Sequence, residues 1–222
     1  IKDPRLTGVT ITDAKVTGWT AGSRDFNDTM KARAPIVFAY VLGFAFVLLL
    51  VTFRSIVIPI KAIVLNLLSV GASYGVLVLT FQHHWGSVVG WEASPQIEAW
   101  IPIFLFAMLF GLSMDYEVFL LSRIREEWDR GHDNERAIAY GLEHTGRIIT
   151  AAAIVMIAAF AGFLTGSFVG LQEFGLGLMA AIALDATVVR AILVPATMKL
   201  LGQWNWYLPE RVKRMLTPRT AS

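Results

Sequence analysis

Five apolar runs, each close to 20 residues long, dominate this 222-residue chain. They cover approximately residues 35–53, 62–81, 101–121, 148–165 and 174–198. A helix of about 20 residues crosses the ~30 Å hydrocarbon core of a bilayer, because each residue adds about 1.5 Å. Hydrophobic residues make up 55% of the chain, which is more than a soluble domain of this size can bury. The sequence therefore predicts an all-α membrane protein, a bundle of about five transmembrane helices.

Lysine and arginine are concentrated in alternate connections between the apolar runs. Arg54 and Lys61 lie in the first connection, and the connection 122–147 contains five arginines. The alternate connections, 82–100 and 166–173, contain neither residue type. Short cytoplasmic loops carry the excess of Lys and Arg in membrane proteins. We therefore expect the first connection and the connection 122–147 to face the cytoplasm, in a protein of the cell inner (plasma) membrane.

The two ends of the chain are polar. Residues 1–34 contain glycines and short apolar stretches, which are typical of the last strands of a folded domain. We predict that this domain is extracytoplasmic and that the segment leads from it into the first membrane helix. After five crossings, the tail 202–222 is predicted to be cytoplasmic.

Residues 133–147 have apolar and charged side chains on opposite faces, which predicts a short amphipathic helix on the cytoplasmic surface. Because Ile1 is not Met and no leader pattern precedes the first run, we interpret the chain as a fragment or a processed piece.

The third apolar run contains an acid, Asp115, about 21 Å along a helix that starts at Ile101. A carboxylate at this depth costs about 2.5–3.5 kcal/mol to insert, so it is expected to face protein or a wet cavity and indicates function. Gly111 and Phe119 lie four residues to either side on the same stripe, and Tyr116 follows directly. The alternative role for Asp115 is structural, as a cap or a packing hydrogen bond.

The fifth run contains a second acid, Asp185, with Arg190 five residues later. An ion pair between them would lower the cost of burying each charge, and Asp185 could then act as a secondary proton relay beside a permanently charged partner. A purely structural role for Asp185 remains open, as does extension of Arg190 to the inner interface. Glu117 is expected at that interface.

Other kinds of site receive little support from the sequence. Phosphate-binding glycine loops, nucleophile elbows and zinc-binding helix motifs are absent from it, so neither an enzyme nor a cofactor is predicted. His83 and His84, with Glu92 and Glu98 nearby, are more typical of a solvated interface than of a metal site. The net charge of +2 gives no indication of a nucleic-acid partner.

Three segments of the chain resemble one transporter family. They are GLSMDYEVFLLSRIREEWD at 111–129, ERAIAYGLEHTGRIITAAAIVM at 135–156 and LDATVVRAILVPATMKLLGQWNWYLP at 184–209. These segments are similar to the carboxy-terminal half of MMPL proteins (mycobacterial membrane protein, large), which belong to the resistance-nodulation-division superfamily. The opening VTGWTAGSRDFNDTM at 16–30 resembles the family's exit from its extracytoplasmic porter domain.

The resemblance implies a function. MMPL proteins have two similar halves of six helices each, and they use proton flux to export lipids or other hydrophobic compounds. It further implies that Asp115 and Tyr116 form an Asp–Tyr proton relay with protons as the coupling ion, and that Gly111 and Phe119 line the channel. The implied partners are the lipid bilayer, a hydrophobic cargo and a complementary transporter half on the same longer chain or a partner subunit. The alternative is a non-transporting lipid sensor or assembly scaffold of similar fold.

Overall fold

The computed structural model describes residues 18–83, 85–91 and 96–209, and the regular elements within these ranges are all helical. The α-helices are α1 (Trp19–Phe53), α2 (Val57–Leu77), α3 (Ile101–Asp129), α4 (Asn134–Ala161), α5 (Val169–Leu184) and α6 (Val194–Leu201). Two π-helical segments, Val78–Gln82 and Asp185–Leu193, continue α2 and join α5 to α6. Short 3₁₀ turns cover Trp85–Val89, Gly162–Thr165 and Gly202–Trp206.

Five continuous helical segments in the described ranges are long and apolar enough to cross a bilayer. They are Ala21–Phe53, Val57–Gln82, Ile101–Asp129, Asn134–Thr165 and Val169–Trp206. The prediction of an all-α membrane protein with about five transmembrane helices is therefore confirmed. All five segments extend beyond the apolar run at one end or at both ends. Hydropathy detects only the part of a helix that suits lipid, whereas the polar residues that flank it are helical as well.

The first helix begins at Trp19, well before the apolar run that starts at residue 35. Residues 19–34, which belong to the predicted end of an external domain and its lead-in to the first span, form the first turns of α1. Pro35 lies inside α1 without ending it. The rest of the expected porter-domain segment lies outside the described residues, as do His84, Glu92 and the tail beyond Pro209.

The amphipathic segment 133–147 was predicted to form a separate surface helix, and this prediction is wrong. It forms the first half of α4, which is continuous from Asn134 to Ala161. The Asp133 side chain caps this helix by accepting a hydrogen bond from the backbone N–H of Arg136 at 3.0 Å. Gly141 lets α4 approach α3 closely, because a Cβ at this position would clash with Ile124. Close packing along α3 therefore keeps the amphipathic part in line with the span.

The third helix lies at the centre of the bundle and packs against α1, α2, α4 and α5. Its fully buried apolar side chains include Ile101, Leu105, Phe106, Leu109, Leu120 and Leu121. Large apolar side chains on the outer helices are exposed, among them Ile36, Phe44, Val64, Ile154 and Val155. Apolar side chains at the periphery suit contact with lipid, and this leaves α3 as the helix on which a shielded polar site can be built.

Hydrogen bonds between distant segments join one end of the bundle. The backbone N–H of Ile56 donates to the carbonyl of Tyr207 at 3.1 Å, and the Asn134 amide donates to the carbonyl of Met198 at 3.0 Å. The first residues of the expected tail, 202–206, thus form a turn that packs back on the bundle. We call this the basic end, because the end of α3 and the start of α4 lie here with Arg123, Arg125, Arg130 and Arg136. That it faces the cytoplasm stays a prediction.

Candidate functional site

Asp115 occupies an open face of α3. Its side chain is exposed, as is Gly111 one turn earlier, and Phe119 on the same stripe is half-buried. Within the described residues the Asp115 carboxylate makes neither a hydrogen bond nor an ion pair. Tyr116 points elsewhere: it is half-buried, and its hydroxyl lies 3.5 Å from the Met156 sulfur of α4. Asp115 and Tyr116, although adjacent in the chain, therefore lie in different environments.

The structure brings Asp185 and Arg190 together in a buried ion pair. Arg190 Nε and Nη2 each lie 2.9 Å from Asp185 Oδ2, and both residues are at most 5% exposed. The π-helical segment Asp185–Leu193 makes this contact possible. Residues five apart are about 140° apart around an α-helix, whereas the wider π-helix, with its i→i+5 hydrogen bonds, brings them closer to one face. Arg190 therefore does not extend to the interface.

Ser113, which lies on α3, connects this ion pair to α3 and α2. Its hydroxyl lies 2.6 Å from Asn66 Oδ1 of α2 and 3.1 Å from Asp185 Oδ2. Arg190 Nη2 donates to the same hydroxyl at 2.8 Å and also to the Ser113 carbonyl. A hydroxyl has one proton to donate, so it can switch between the amide and the carboxylate while it accepts from the guanidinium. Ser113 is thus the hydrogen-bonding centre of three helices.

Two further charged side chains, Lys61 and Glu117, lie beside this network. Glu117 had been expected at the inner interface, yet it is 4% exposed, because α3 continues to Asp129 and carries it into the bundle. Lys61 had been counted with a loop, yet it lies in α2 and is 8% exposed, because that helix begins at Val57. Glu117 interacts electrostatically with Lys61, Arg190 and Asp185.

Sequence reasoning missed Ser113, Asn66 and the inward placement of Glu117. One signal was available for two of them, because Ser113 and Glu117 are four residues apart and share a face of α3. Asp115 lies between them in the chain but on a different face, so residues 113–117 place polar side chains on two sides of α3. Lys61 had no comparable signal, since a lysine at a span boundary usually extends to the interface.

A narrow cavity connects the ion pair to Tyr116. It is enclosed by α3, α4, α5 and the π-helical segment Asp185–Leu193, and its polar lining residues are Ser113, Tyr116, Asp185 and Arg190. Its volume of about 10 Å³ is close to what one water molecule requires. The Arg190 guanidinium carbon lies 5.4 Å from the centre of the Tyr116 ring, within cation–π range. The hydroxyl of Tyr116 and the buried charges therefore share one compartment.

The sequence pattern of the MMPL family matches residues 5–220. The chain belongs to the MMPL family. This MMPL chain is 45% identical over 201 residues to the mycolic acid-containing lipids exporter MmpL11 of Mycolicibacterium smegmatis. The matched residues are 90% of the chain and 21% of that relative. It is 43% identical over 213 residues to a Mycobacterium tuberculosis relative named heme uptake protein MmpL11, covering 96% of the chain and 22% of the relative.

The trehalose monomycolate exporter MmpL3 of Mycobacterium tuberculosis is 40% identical over 187 residues, which are 84% of the chain and 20% of that relative. The MMPL chain therefore spans about a fifth of the length of these curated relatives. Their names describe transport rather than an enzymatic reaction. The predicted family resemblance is confirmed, and with it a membrane location.

Proposed function

We propose that this chain is the carboxy-terminal part of a proton-driven exporter of lipids or other hydrophobic compounds. In this proposal Asp115 binds and releases the coupling proton, and no cofactor takes part. One observation carries it: an ionisable side chain on an open face of a helix that is long and apolar enough to cross a bilayer, beside a tyrosine. The printed names of MmpL11 and MmpL3 as lipid exporters support the class of cargo.

The exposed face of Asp115 and Gly111 is proposed to meet the complementary transporter half, on the same longer chain or on a partner subunit. Burial of the acid in that contact would disfavour its charged form, so binding of a proton would be coupled to the fit between the halves. The Tyr116 hydroxyl points away from Asp115 and donates to the Met156 sulfur, a weak acceptor, so it remains able to donate to an acid of the complementary half.

The buried network supplies fixed charges close to the proposed proton carrier. Ser113 is two residues from Asp115 on α3, and it is bonded to both Asp185 and Arg190. A change in the charge of Asp115 would therefore act on the packing of α3 against α2 and α5. This is the element through which proton binding is proposed to shift the helices and move the export machinery outside the membrane.

The test uses the complete protein in vesicles with an imposed pH gradient. Asp115→Asn keeps the size of the side chain and most of its hydrogen bonds but cannot exchange a proton near neutral pH. We expect it to abolish gradient-driven export while the protein keeps its thermal stability. Tyr116→Phe removes one hydroxyl and should reduce export less. Glu126→Gln is the matched control, because Glu126 is an exposed acid on the same helix that pairs with Arg123 at 2.8 Å.

Substantial gradient-driven export by well-folded Asp115→Asn would refute the role of this acid. The competing function, a lipid sensor or scaffold, makes a different prediction for the unaltered protein. It would bind the lipid without moving it, whatever pH gradient is imposed.

A further inference from the structure

Glu173 is a buried acid at the end of the bundle opposite the basic end. It lies in the second turn of α5 and is 0% exposed. Its Oε2 accepts a hydrogen bond from the backbone N–H of Glu98 at 3.2 Å. Its Oε1 is buried as well and has no hydrogen-bond partner among the described residues. One oxygen of this carboxyl group is therefore buried without a donor.

The hydrogen bond joins α5 to residues 96–100, the segment that leads into α3. The Glu98 backbone is held on both sides, since its carbonyl accepts from the N–H of Ile101, the first residue of α3, at 3.0 Å. Trp100 of the same segment packs against Phe174 of α5, with ring centres 5.5 Å apart. The 96–100 segment thus rests on the start of α5 and fixes where α3 begins.

The surroundings of Glu173 are apolar. The cluster of apolar side chains at this end includes Leu77, Phe81, Trp100, Phe160 and Phe174. Tyr74 of α2 is the titratable side chain of that cluster. Among the described residues, the charged group that acts on Glu173 is Glu98, which has the same sign and an exposed side chain. A buried carboxylate without a cation is costly, whereas the neutral acid is tolerated. Glu173 therefore suits this position when it carries a proton.

The 96–100 segment also borders a cavity. Glu98 and Ala99 line a space of about 480 Å³ that α1, α2 and the start of α3 enclose. Lys31 of α1 is a basic residue on the same cavity. Movement of the segment away from α5 would change how far Ala99 is exposed to solvent. Ala99 is therefore a position from which such movement can be measured.

We infer that Glu173 is a positioning residue that fixes the start of α3 when it binds a proton from the solution at this end of the bundle. The inference rests on the proposed function, because it takes the coupling protons to enter from this end. The proton binds the unpartnered Oε1, and Oε2 continues to accept from the Glu98 N–H, so the 96–100 segment stays on α5. Loss of the proton to water leaves a charge that hydration stabilises, and the segment then moves away from α5. Because α3 also carries Asp115, this proton and the proposed carrier act on one helix.

The labelling rate of a cysteine at Ala99 tests this role in the complete protein in detergent. This chain has no cysteine, and cysteines elsewhere in the complete protein are replaced. Thiols react faster as pH rises in any case, so the rate is divided by that of Ser87→Cys, an exposed position at the same end. The closed position is stable while Glu173 is protonated and is lost as pH rises. We expect the ratio to rise by at least about tenfold across the neutral range, because the buried charge is left without a partner.

Glu173→Gln separates the proton from packing. Glutamine keeps the size of the side chain and an oxygen for the Glu98 N–H, but it cannot lose a proton. In this background the ratio of the two labelling rates should keep its low-pH value at every pH. A rise with pH equal to that of the unaltered protein would overturn the inference, as would faster labelling of Ala99→Cys at every pH.

Export in vesicles with an imposed pH gradient connects the segment to transport. Glu173→Gln should reduce gradient-driven export about tenfold, because the segment then leaves α5 only as a minor state. Asp28→Asn is the matched control and should match the unaltered protein, since Asp28 is an exposed acid on α1 at the same end. Unchanged export by well-folded Glu173→Gln would overturn the inference.

Loss of folding in Glu173→Gln would leave the test in the unaltered background. A ratio of the Ala99→Cys rate to the Ser87→Cys rate that stays constant with pH would then overturn the inference, and a rise would support it. The proposed function would survive every one of these failures, because it depends on the loss of export in Asp115→Asn. The labelling result, in turn, does not require export to occur.

Discussion

Arg190 holds Asp185 through two nitrogens, Nε and Nη2, each 2.9 Å from the same carboxylate oxygen, Oδ2. The second oxygen, Oδ1, remains within 3.2 Å of the Ser113 hydroxyl. The carboxylate is therefore shared between the guanidinium on its own helical segment and a hydroxyl on α3. We therefore expect a change at either group to alter how the π-helical segment Asp185–Leu193 packs against α3.

This arrangement predicts strong energetic coupling between Asp185 and Arg190. Asp185→Asn and Arg190→Met should each destabilise the protein by about 3–5 kcal/mol, because each leaves a buried charge without its partner. The double variant should lose clearly less than the sum. A double-mutant cycle of unfolding free energies in detergent measures the coupling. Simple additivity of the two losses would contradict a functional ion pair.

Gly177 is predicted to be essential for helix packing. A Cβ at this position of α5 would clash with Leu105 of α3 and lie 3.1 Å from a methyl group of Leu77 in α2. Gly177→Ala should therefore lower the free energy of unfolding by about 1–3 kcal/mol through overpacking. In Gly75→Ala, the control, the added Cβ meets no heavy atom of the described residues within 4 Å. Equal thermal stabilities of the two variants would argue against this packing.

Asp133 is predicted to stabilise the start of α4. Asp133→Ala removes the acceptor that caps the backbone N–H of Arg136, which should cost about 1 kcal/mol. Asp133→Asn and Asp133→Ser keep a capping oxygen and should restore most of the loss. Thermal unfolding of the three variants checks this. If all three lost stability to the same extent, the carboxylate would have a role other than capping.

The orientation of the bundle is predicted from charge and can be measured by cysteine labelling. The chain has no cysteine, so single cysteines at Ser87 and Glu143 can be introduced, and both positions are exposed. In intact cells, a membrane-impermeant thiol reagent should modify the first and spare the second. Labelling in the reverse pattern would show that the basic end faces outward.

The sequence by itself determined that this chain crosses a membrane about five times and that Asp115 is an unusual acid within a span. Both conclusions depend on local properties. The length of an apolar run can be compared directly with the thickness of a bilayer, and a carboxylate inside such a run is visible without knowledge of its neighbours. The GLSMDY motif likewise indicated the family before any contact was known.

Only the tertiary structure decided which polar side chains meet. Asp185 and Arg190 would point apart on a regular α-helix, and the π-helical segment that aligns them has no clear signature in the sequence. Lys61 and Glu117 lie near span boundaries, where either charge would ordinarily extend to the interface. Their burial follows from how far α2 and α3 continue and from which helix faces each of them, and these are properties of packing between segments distant in the chain.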